Sequence, residues 1–569
     1  MLHGYDVLPS AVHLTASTLA MLAPEVAFVR MNLFSMHLGM DKGVPHLGSL
    51  DFLSHDHLAT QITLDYSQVE TVRKSARESK TARAFVPKLD LCVMNPPFVR
   101  SVGGNLLFGS LPDDRGELQK ELKKLLLKLP GASATAGLGS VFVALANRRL
   151  SEKGRLAFVL PAALVSGEAW GETRSLIADQ YHLETVVASH DADRQNFSEN
   201  TELSEILFIA RKLVSGERPG ETTYINLWHN PTSIHEALDL AARLVSKKPI
   251  SIADRDTISI RSDRKKLAEI VSVPAPIKKE NWTGALFAQT DLLRTYLSLQ
   301  KSELRLPGVN DTFTLPLCPL HDLGNLGYDR RDIHDAFTVS TDQYSPYPAF
   351  WDHDAKKVTS ITQSPNARLI ARTEAAEGRP SKDAHQVWEK SGRILLVERV
   401  RTNTHRILAV GLNEKVLGNT WWAFNSNDLM EKHEKSLLLW LNSSLSMLIF
   451  FGCRVVTQGA WMQMKKPAWL SMSVLDVRTL SALQLEALSK AYNSLANREL
   501  LALAKLDDDP TRAAIDKAIC SVLDLPDLDK LRELISREPG LSGKPINTAL
   551  PQEQTSLFPG DNSDSQLLL

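Results

Sequence analysis

The sequence lacks the cysteine pattern of a structural zinc site or of a disulfide framework. Its four cysteines, Cys92, Cys318, Cys453 and Cys520, lie far apart and include no Cys-x-x-Cys pair. Scattered thiols of this kind are typical of a protein that works in a reducing cytoplasm, where we expect this one. We expect the chemistry of this protein to use no metal ion.

Long apolar runs and a strong net charge are also missing. The most apolar stretch, residues 437–451, is interrupted by Asn442 and three serines and is too short and too polar to cross a bilayer, so we expect a buried helix there. The opening residues MLHGYDVLPS lack the basic and apolar segments of a signal peptide. The net charge of -1 gives the whole protein no attraction to phosphate, so any nucleic-acid surface needs local basic clusters.

The sequence does contain the composition and the hydrophobic patterning of several folded units. Its 569 residues are 43% hydrophobic and 23% charged, as in a globular protein of roughly three or four units. Up to residue 215, apolar runs alternate with amphipathic stretches, which predicts a mainly parallel α/β sheet. The predicted strands are 89–95, 155–161, 183–189 and 205–211, and the predicted helices are 11–23, 140–151 and 171–180. Residues 99–139 form a long insertion with a basic helix near 118–129.

Four further units follow along the chain. Residues 216–335 are irregular and are predicted to form a connecting region of unclear fold. Residues 336–480 mix aromatic, basic and β-prone residues and predict an α+β domain. Residues 481–540 have helical periodicity, and residues 541–569 are rich in Pro, Gln, Ser and Asp, which predicts disorder.

The most informative residues are Asn95, Pro96, Pro97 and Phe98, directly after the apolar strand LDLCVM. Such a loop could hold a planar amino group, such as the exocyclic amino group of adenine. The lone pair of that group is delocalised into the ring, so its methylation needs hydrogen-bond acceptors that localise the lone pair on nitrogen. The Asn95 side-chain oxygen and the Pro96 carbonyl could each accept one amino hydrogen, prolines make the loop rigid, and Phe98 could stack a flipped base. Asn-Pro-Pro-aromatic is alternatively an ordinary turn at the end of a strand.

Residues 3–212 resemble the AdoMet-dependent, adenine-specific DNA methyltransferases of restriction-modification systems, type IIG-like, through Asn95–Phe98 and an ordered series of flanking segments. The resemblance implies a Rossmann-like methyltransferase domain over residues 1–215, followed by a DNA target-recognition domain over residues 336–480. It also implies S-adenosyl-L-methionine (AdoMet) as cofactor and double-stranded DNA as partner.

Two segments resemble the cofactor-binding part of this family. HGYDVLPSAVHLTASTLA matches a strand and helix whose acidic residue binds the AdoMet ribose; here that is Asp6, followed by Val7. HLGSLDFLSHD matches the segment that contacts the adenine ring of AdoMet, here through Asp51 and Phe52. Asn95 completes the implied cofactor contacts. Alternatively, Asp6 merely caps the helix that begins near Ser10, and an Asp-Phe pair is common in loops.

The segment NFSENTELSEILFIARK resembles the last hairpin of the family, which supplies a second aromatic for the flipped base. Phe197 is that candidate, although a lone Phe before a strand is more often part of a core.

The family's first strand and its glycine-rich cofactor loop have no counterpart, since only three residues precede Gly4 and the pair Gly103–Gly104 comes after the catalytic loop. The resemblance therefore implies an N-terminally truncated domain without its central strand, which we expect to bind AdoMet poorly and to methylate little. A start codon placed too late, a gene fragment, and a split enzyme completed by another chain remain as explanations.

The segment KSLLLWLNSSLSMLIFFGCRVVTQGAWMQMKKPAWLSMSV resembles the target-recognition region of large adenine methyltransferases and type I specificity subunits. The residues expected to contact DNA are Arg399, Arg401, Arg406, Arg454, Lys465 and Lys466 at phosphates, with Gln458, Trp461 and Gln463 nearer the bases. A solvated charged face is the alternative. Trp421, Trp422 and Phe424 are predicted to be core.

Together these features predict a cytoplasmic, site-specific DNA adenine methyltransferase, the modification part of a restriction-modification or phage-defence system, with a restriction subunit as a further partner. Two other hypotheses stay open. One is a non-catalytic, sequence-specific DNA-binding protein on a decayed methylase scaffold. The other is a protein-glutamine methyltransferase, because those enzymes also use Asn-Pro-Pro-aromatic to hold an amide.

Overall fold

The structure is a computed structural model that describes most of the chain. The described residues are 2–26, 31–53, 57–61, 80–84, 86–98, 112–127, 129–133, 135–193, 204–262, 265–341, 344–375, 379–456 and 461–546.

The N-terminal part builds a small four-stranded sheet. Its elements are β1 (Gly4–Asp6), α1 (Pro9–Leu22), β2 (Leu33–Ser35), β3 (Leu38–Asp41), β4 (Val44–Leu47), β5 (His57–Gln61) and β6 (Lys80–Ala84). The sheet has the order β1-β2-β5-β6, with β1 parallel to β2 and the other pairs antiparallel. Strands β3 and β4 form a hairpin, followed by a 3-10 turn over Gly48–Leu53.

A seven-stranded sheet follows. Its elements are β7 (Leu89–Met94), α2 (Arg115–Leu126), α3 (Leu138–Arg149), β8 (Leu150–Pro161), α4 (Gly171–Gln180), β9 (Tyr181–Ser189), β10 (Glu205–Lys212), β11 (Glu221–Leu227), α5 (Ile234–Val245), β12 (Ile258–Ser262) and β13 (Lys265–Pro274). The order is β12-β13-β11-β9-β10-β8-β7. The four predicted strands and three predicted helices of this half are all confirmed, within a few residues at each end.

The expectation of a mainly parallel sheet is wrong. Only the pairs β7–β8 and β9–β11 are parallel, and the other four pairs of the described sheet are antiparallel. The reason is that β10 enters between β8 and β9 in the opposite direction, while β12 and β13 add a hairpin. Because β11 pairs with β9, the boundary expected at residue 215 falls inside this sheet. The α/β class itself is confirmed.

The second half begins with short elements around a larger sheet. They are α6 (Thr290–Leu299), β14 (Glu303–Leu304), β15 (Phe313–Thr314), β16 (Leu317–Pro319), β17 (Gly324–Leu326), α7 (Arg330–Ala336), β18 (Phe337–Ser340), β19 (Tyr347–Phe350), β20 (Thr362–Gln363), β21 (Ala367–Ala371), α8 (Ala384–Trp388), β22 (Gly392–Val397), β23 (Arg399–Arg401), β24 (Ala409–Gly418) and β25 (Trp421–Ser426). The order β17-β25-β22-β24-β19-β21-β18, with β20 beside β24, gives a mixed sheet. Trp421, Trp422 and Phe424 are buried in it, as predicted.

Helices dominate the described residues from 431 to 546. The elements are α9 (Glu431–Leu441), α10 (Ser444–Cys453), β26 (Val455–Val456), β27 (Trp461–Gln463), α11 (Lys466–Ser471), β28 (Ser473–Leu475), α12 (Ala482–Leu495), α13 (Pro510–Leu523), α14 (Asp529–Arg537) and α15 (Pro539–Ser542). Residues 481–540, for which helical periodicity was predicted, contain α12, α13, α14 and the start of α15.

The apolar stretch 437–451 is buried as predicted, but it forms two helices rather than one, with a bend of 68° between α9 and α10. Asn442 lies at this break, and its amide accepts from Leu408 N at 3.0 Å and donates to Ala409 O at 2.9 Å, both outside the two helices, as well as to Leu438 O of α9. Ser443 then caps α10 by accepting from Ser446 N. No single described helix is long and apolar enough to span a membrane, although α9 and α10 taken together pass on length and composition.

The last helices are tied to the middle of the chain by buried charges. Glu538 is fully buried and accepts hydrogen bonds from Ala288 N at 2.7 Å and from Gln289 Nε2 at 3.1 Å. Burial raises the pKa of Glu538 to about 7, because desolvation disfavours the carboxylate more than these donors and Arg454 favour it.

Candidate functional site

The predicted catalytic loop begins where β7 ends. Met94 lies opposite Phe158 of the parallel strand β8, and the next residue is Asn95. Asn95 is exposed, so its amide is accessible from solvent, while Pro96 is buried and holds the loop against the protein. Phe98 is half-buried. The loop thus presents an amide and an aromatic side chain at the carboxyl end of a parallel strand pair, a common position for ligand sites in α/β sheets.

A second element lies at the same end of the sheet. Strand β8 ends at Pro161 and continues into a 3-10 turn, Ala162–Leu164. Strand β26 packs against this turn. Because β7 and β8 are parallel neighbours, the turn and Asn95 lie at the same end of the sheet, and β26 brings a sheet of the second half to that end.

That sheet consists of β23, β27 and β26. Arg399 lies opposite Gln463 and Arg401 opposite Trp461. We call Arg399, Arg401, Trp461, Gln463 and Lys465 the basic patch. Both arginines and Lys465 are exposed, and Trp461 is 44% exposed. In the amide orientation that satisfies its neighbours, the Gln463 oxygen accepts from Lys465 Nζ at 2.9 Å and from Arg399 Nε at 3.3 Å.

Three stacked rings, those of His405, His353 and Trp421, support the basic patch. His405 Nδ1 accepts from Arg401 N at 3.2 Å, which fixes the end of β23. The His405 ring stacks on His353 at 3.9 Å, and His353 stacks on Trp421 at 5.3 Å. Burial lowers the pKa of His405 to about 4, so the ring is neutral and accepts this bond at neutral pH. Sequence reasoning missed His405, because a single histidine between polar residues carries no signal of its role.

Three other predicted DNA contacts do not belong to this surface. Arg454 is 7% exposed and donates to Phe451 O and Leu286 O, and burial lowers its pKa to about 9. Arg406 pairs with Glu499. Lys466 starts α11 and donates to Gly327 O at 3.2 Å. These side chains bind protein groups in the structure, and their expected DNA contacts stay predictions.

Gln458 and Phe197, the remaining predicted base contacts, lie outside the described residues.

The predicted cofactor residues come together from two distant segments. Asp6 ends β1, and the ring of its neighbour Tyr5 lies 5.1 Å from that of Phe52. Val7 lies against Gly48, where a Cβ would come within 2.7 Å of Val7 Cγ1. Asp6 is partly exposed and its Oδ1 accepts from Leu8 N at 2.8 Å, just before α1. In addition to this local bond, its carboxylate has the acceptor capacity to hold the ribose hydroxyls of AdoMet.

Asp51 and Phe52 do not fit the role expected of them. Asp51 is 7% exposed and accepts from Leu47 N at 2.9 Å, with His46 Nδ1 3.5 Å from its other oxygen. Phe52 is fully buried and its ring packs on Tyr5. The pair therefore serves the core of the small N-terminal domain and offers no open face to an adenine ring. The residues present fit the ribose of AdoMet and not its base.

No protein-family model matches the sequence, and no curated protein matches it. Among solved structures the chain is similar to the type IIL restriction-modification enzyme MmeI in complex with DNA, with 14% identity and a TM-score of 0.39 over 78% of this chain and 56% of that one. It is similar to the type IIG restriction endonuclease BpuSI with 10% identity and a TM-score of 0.29, over 80% of this chain and 55% of that one.

A type I restriction-modification methyltransferase subunit from Streptococcus thermophilus matches with 18% identity and a TM-score of 0.20, over 28% of this chain and 33% of that one. The structures that the chain resembles are thus restriction-modification enzymes and methyltransferase subunits. The chain spans about half the length of the first two. All three TM-scores lie below 0.5.

Proposed function

We propose that this protein takes part in methylation of the exocyclic amino group of adenine in duplex DNA, with AdoMet as methyl donor. One observation carries the proposal: the basic patch belongs to a sheet that packs, through β26, against the turn after β8, and β8 is the parallel neighbour of the strand from which Asn95–Phe98 emerge. A loop suited to hold a planar amino group therefore lies at the same end of the seven-stranded sheet as the sheet that carries a cationic, partly aromatic surface.

The chemistry follows from the loop's own atoms. The Asn95 side-chain oxygen and the Pro96 carbonyl would each accept one hydrogen of the amino group, which localises the nitrogen lone pair and favours the cation that forms as nitrogen attacks. Phe98 would stack on the extruded base, whose unstacking costs a few kcal/mol. AdoMet, when bound, supplies the methyl group as a sulfonium, and Asp6 would hold its ribose hydroxyls.

The basic patch would position the duplex. Arg399, Arg401 and Lys465 would contact phosphates, which set register but carry no sequence information, while Trp461 and Gln463 lie beside them and could reach the bases. In a restriction-modification or phage-defence setting this would be the modification activity, and a restriction subunit would be a separate partner.

A second candidate, a DNA-binding protein without catalysis, is favoured by one observation. Phe52, the residue expected against the cofactor's adenine ring, is fully buried instead. Such a protein would keep the basic patch and bind DNA without transferring methyl groups.

The deciding experiment measures transfer of labelled methyl from AdoMet to mixed-sequence unmethylated DNA, followed by nucleoside analysis. It uses this chain and a version extended through the upstream reading frame. We expect N6-methyladenine from at least the extended form, loss of product in Asn95→Ala, and no loss in Asn493→Ala, which removes an equally exposed asparagine on α12. If neither form makes N6-methyladenine while both bind DNA, the second candidate replaces the first.

A further inference from the structure

Residues 284–290 lead from the seven-stranded sheet into helix α6, and we call them the strap. Asn226 Nδ2 on β11 donates to Gly284 O at 2.9 Å. Arg454 Nη2, from the junction of α10 and β26, donates to Leu286 O at 2.8 Å. The strap is therefore bound both by the sheet and by the part of the chain that enters β26.

The strap is held again at its last three residues. Trp228 Nε1, next to the end of β11, donates to Ala288 O at 2.7 Å. Thr290 N donates to Glu269 Oε2 on β13 at 2.6 Å. Glu538, directly after α14, accepts from Ala288 N at 2.7 Å. Three parts of the molecule, namely the sheet, the α10–β26 junction and the C-terminal helices, thus meet at one short segment.

The C-terminal helices also lie directly on Arg454. Its guanidinium carbon is 3.4 Å from the centre of the Phe451 ring. A Cβ on Gly540 of α15 would come within 2.9 Å of Phe451 Cζ and 3.6 Å of Arg454 Nη2. The segment from Glu538 to Gly540 therefore contacts both the strap and Arg454.

Arg454 determines where the basic patch lies. The next residues, Val455 and Val456, form β26, which pairs with β27 and packs against the turn after β8. Strand β27 carries Trp461 and Gln463 of the basic patch. Because a two-residue strand moves with the residue that anchors it, the strap fixes the patch relative to the end of the sheet where the catalytic loop begins.

Glu538 is the titratable group at the centre of these contacts. It is fully buried, and among the described residues the charged groups that face it are Arg454 and, on β13, Glu269. Glu269 is itself 4% exposed and pairs with Lys266. Burial outweighs the attraction of Arg454 and raises the pKa of Glu538 to about 7, so this carboxyl gains and loses its proton near neutral pH.

The groups around Arg454 keep one charge state in that range. Burial raises the pKa of Tyr296 on α6 well above its usual value and raises the pKa of its neighbour Cys453 to about 11. Burial lowers the pKa of His190, directly after β9, to about 4. The phenol, the thiol and the imidazole are therefore neutral near neutral pH, and Glu538 is the member of this cluster that changes charge.

We propose that the strap and Glu538 form a lock that holds the basic patch in position, and that loss of the Glu538 proton loosens this lock. The ionised carboxylate is poorly solvated inside the protein, and Arg454 compensates it only in part because its guanidinium already binds Phe451 O and Leu286 O. Opening of the lock exposes the carboxylate to water and is therefore favoured when Glu538 is ionised. The lock is a property of the fold, whereas its effect on methyl transfer rests on the proposed function.

The test is hydrogen exchange with mass spectrometry on the wild type and Glu538→Gln at about pH 6 and about pH 8, with rates corrected for intrinsic exchange. Glutamine has the shape of the protonated side chain and cannot ionise. With a pKa of about 7 in the closed lock and 4.5 in water, the opening constant of the wild type should rise about tenfold across this range. We expect this rise at the amides of residues 288–290 and 461–463, and no rise in Glu538→Gln.

Glu533→Gln is the matched control. Glu533 lies on the same helix α14, has 33% of its side chain exposed and pairs with basic residues of that helix, so this variant should keep the wild-type response. Arg454→Lys tests the link to the patch. Lysine keeps the charge but lacks the planar fork that binds two carbonyl groups, so the response should persist at 288–290 and shrink at 461–463.

Equal opening of the wild type at the two pH values overturns the proposal, and this comparison requires no variant. A response confined to 288–290 in the wild type overturns the coupling between the lock and the basic patch. A full response in Glu538→Gln overturns the role of Glu538, because another group must then cause it.

Methyl transfer separates the lock from the proposed function. If the amides respond as expected but the transfer assay gives no product, the lock stands and the proposed function fails. If product forms, the kcat of Glu538→Gln divided by that of the wild type should rise from about pH 6 to about pH 8 at equal KM for DNA, because a loosened patch binds DNA but positions it less firmly. A constant ratio overturns the effect of the lock on transfer.

Discussion

Replacing Arg399 and Arg401 together by alanine gives a quantitative test of the basic patch. Both side chains are exposed, and the contact of Arg399 with Glu398 is a 3.9 Å surface pair, so the change should leave folding nearly intact. If each guanidinium neutralises one phosphate, the slope of log affinity against log salt becomes shallower by about 1.8. When salt is raised from roughly 50 to 200 mM, the variant should therefore lose about 12-fold less of its affinity than the wild type does.

The assay is anisotropy of a fluorescein-labelled, mixed-sequence duplex across that salt range. Arg406→Gln is the control, because Arg406 is already paired with Glu499 and Leu500 O and should not alter the slope. An unchanged slope in the Arg399/Arg401 variant, or an equal change in the control, would refute the assignment of phosphate contacts to the patch.

Three further predictions concern stability, each measured by urea unfolding. Because burial raises the pKa of Glu538 to about 7 from 4.5, the unfolded chain loses that proton first, and the free energy of unfolding should fall by about 3 kcal/mol between pH 4.5 and 7. Glu538→Gln should remove this fall, and an unchanged pH profile would contradict it. His405 has the opposite effect on stability. Its pKa is lowered to about 4 from 6.5, so the free energy of unfolding should rise by about 3 kcal/mol between pH 4 and 6.5. His405→Phe should abolish this rise, and persistence of the full rise would show that other groups cause it. Asn442→Leu leaves Leu408 N and Ala409 O without their partner in a dry interior and should cost about 3 to 5 kcal/mol, whereas a loss under about 1 kcal/mol would mean that the break does not depend on this amide.

The local elements of the fold could be predicted well because their signals are local. Strands β8 to β10 and helix α3 follow from apolar runs and helical periodicity, which a short window of sequence contains. Strand direction does not follow, since β10 runs antiparallel between β8 and β9 only because of contacts far apart in sequence. The break at Asn442 escaped prediction for the same reason, because two of its hydrogen-bonding partners, Leu408 and Ala409, lie just before and at the start of β24, more than thirty residues earlier.

The residues of the candidate site show the same difference between local and long-range signals. Asn95 was placed correctly after a strand, because prolines and the preceding apolar run define that position in the sequence itself. Arg401 and Arg454 have the same side chain, yet one is exposed on β23 and the other donates hydrogen bonds to carbonyl groups in the interior. Which arginine reaches solvent depends on how the helices pack, and residue type alone does not carry that information.

The bond from Ala288 N to Glu538 spans 250 residues, and it has a consequence for synthesis. A ribosome adds about 5 to 20 residues per second, so the middle of the chain waits about 12 to 50 seconds for its last helical partner to be made. During that time the buried surface around Phe287 and α10 has no native cover from the final helices. The protein therefore finishes its interior only when the segment around Glu538 has been made, and its yield in a cell should depend on chaperones that shield the waiting segment.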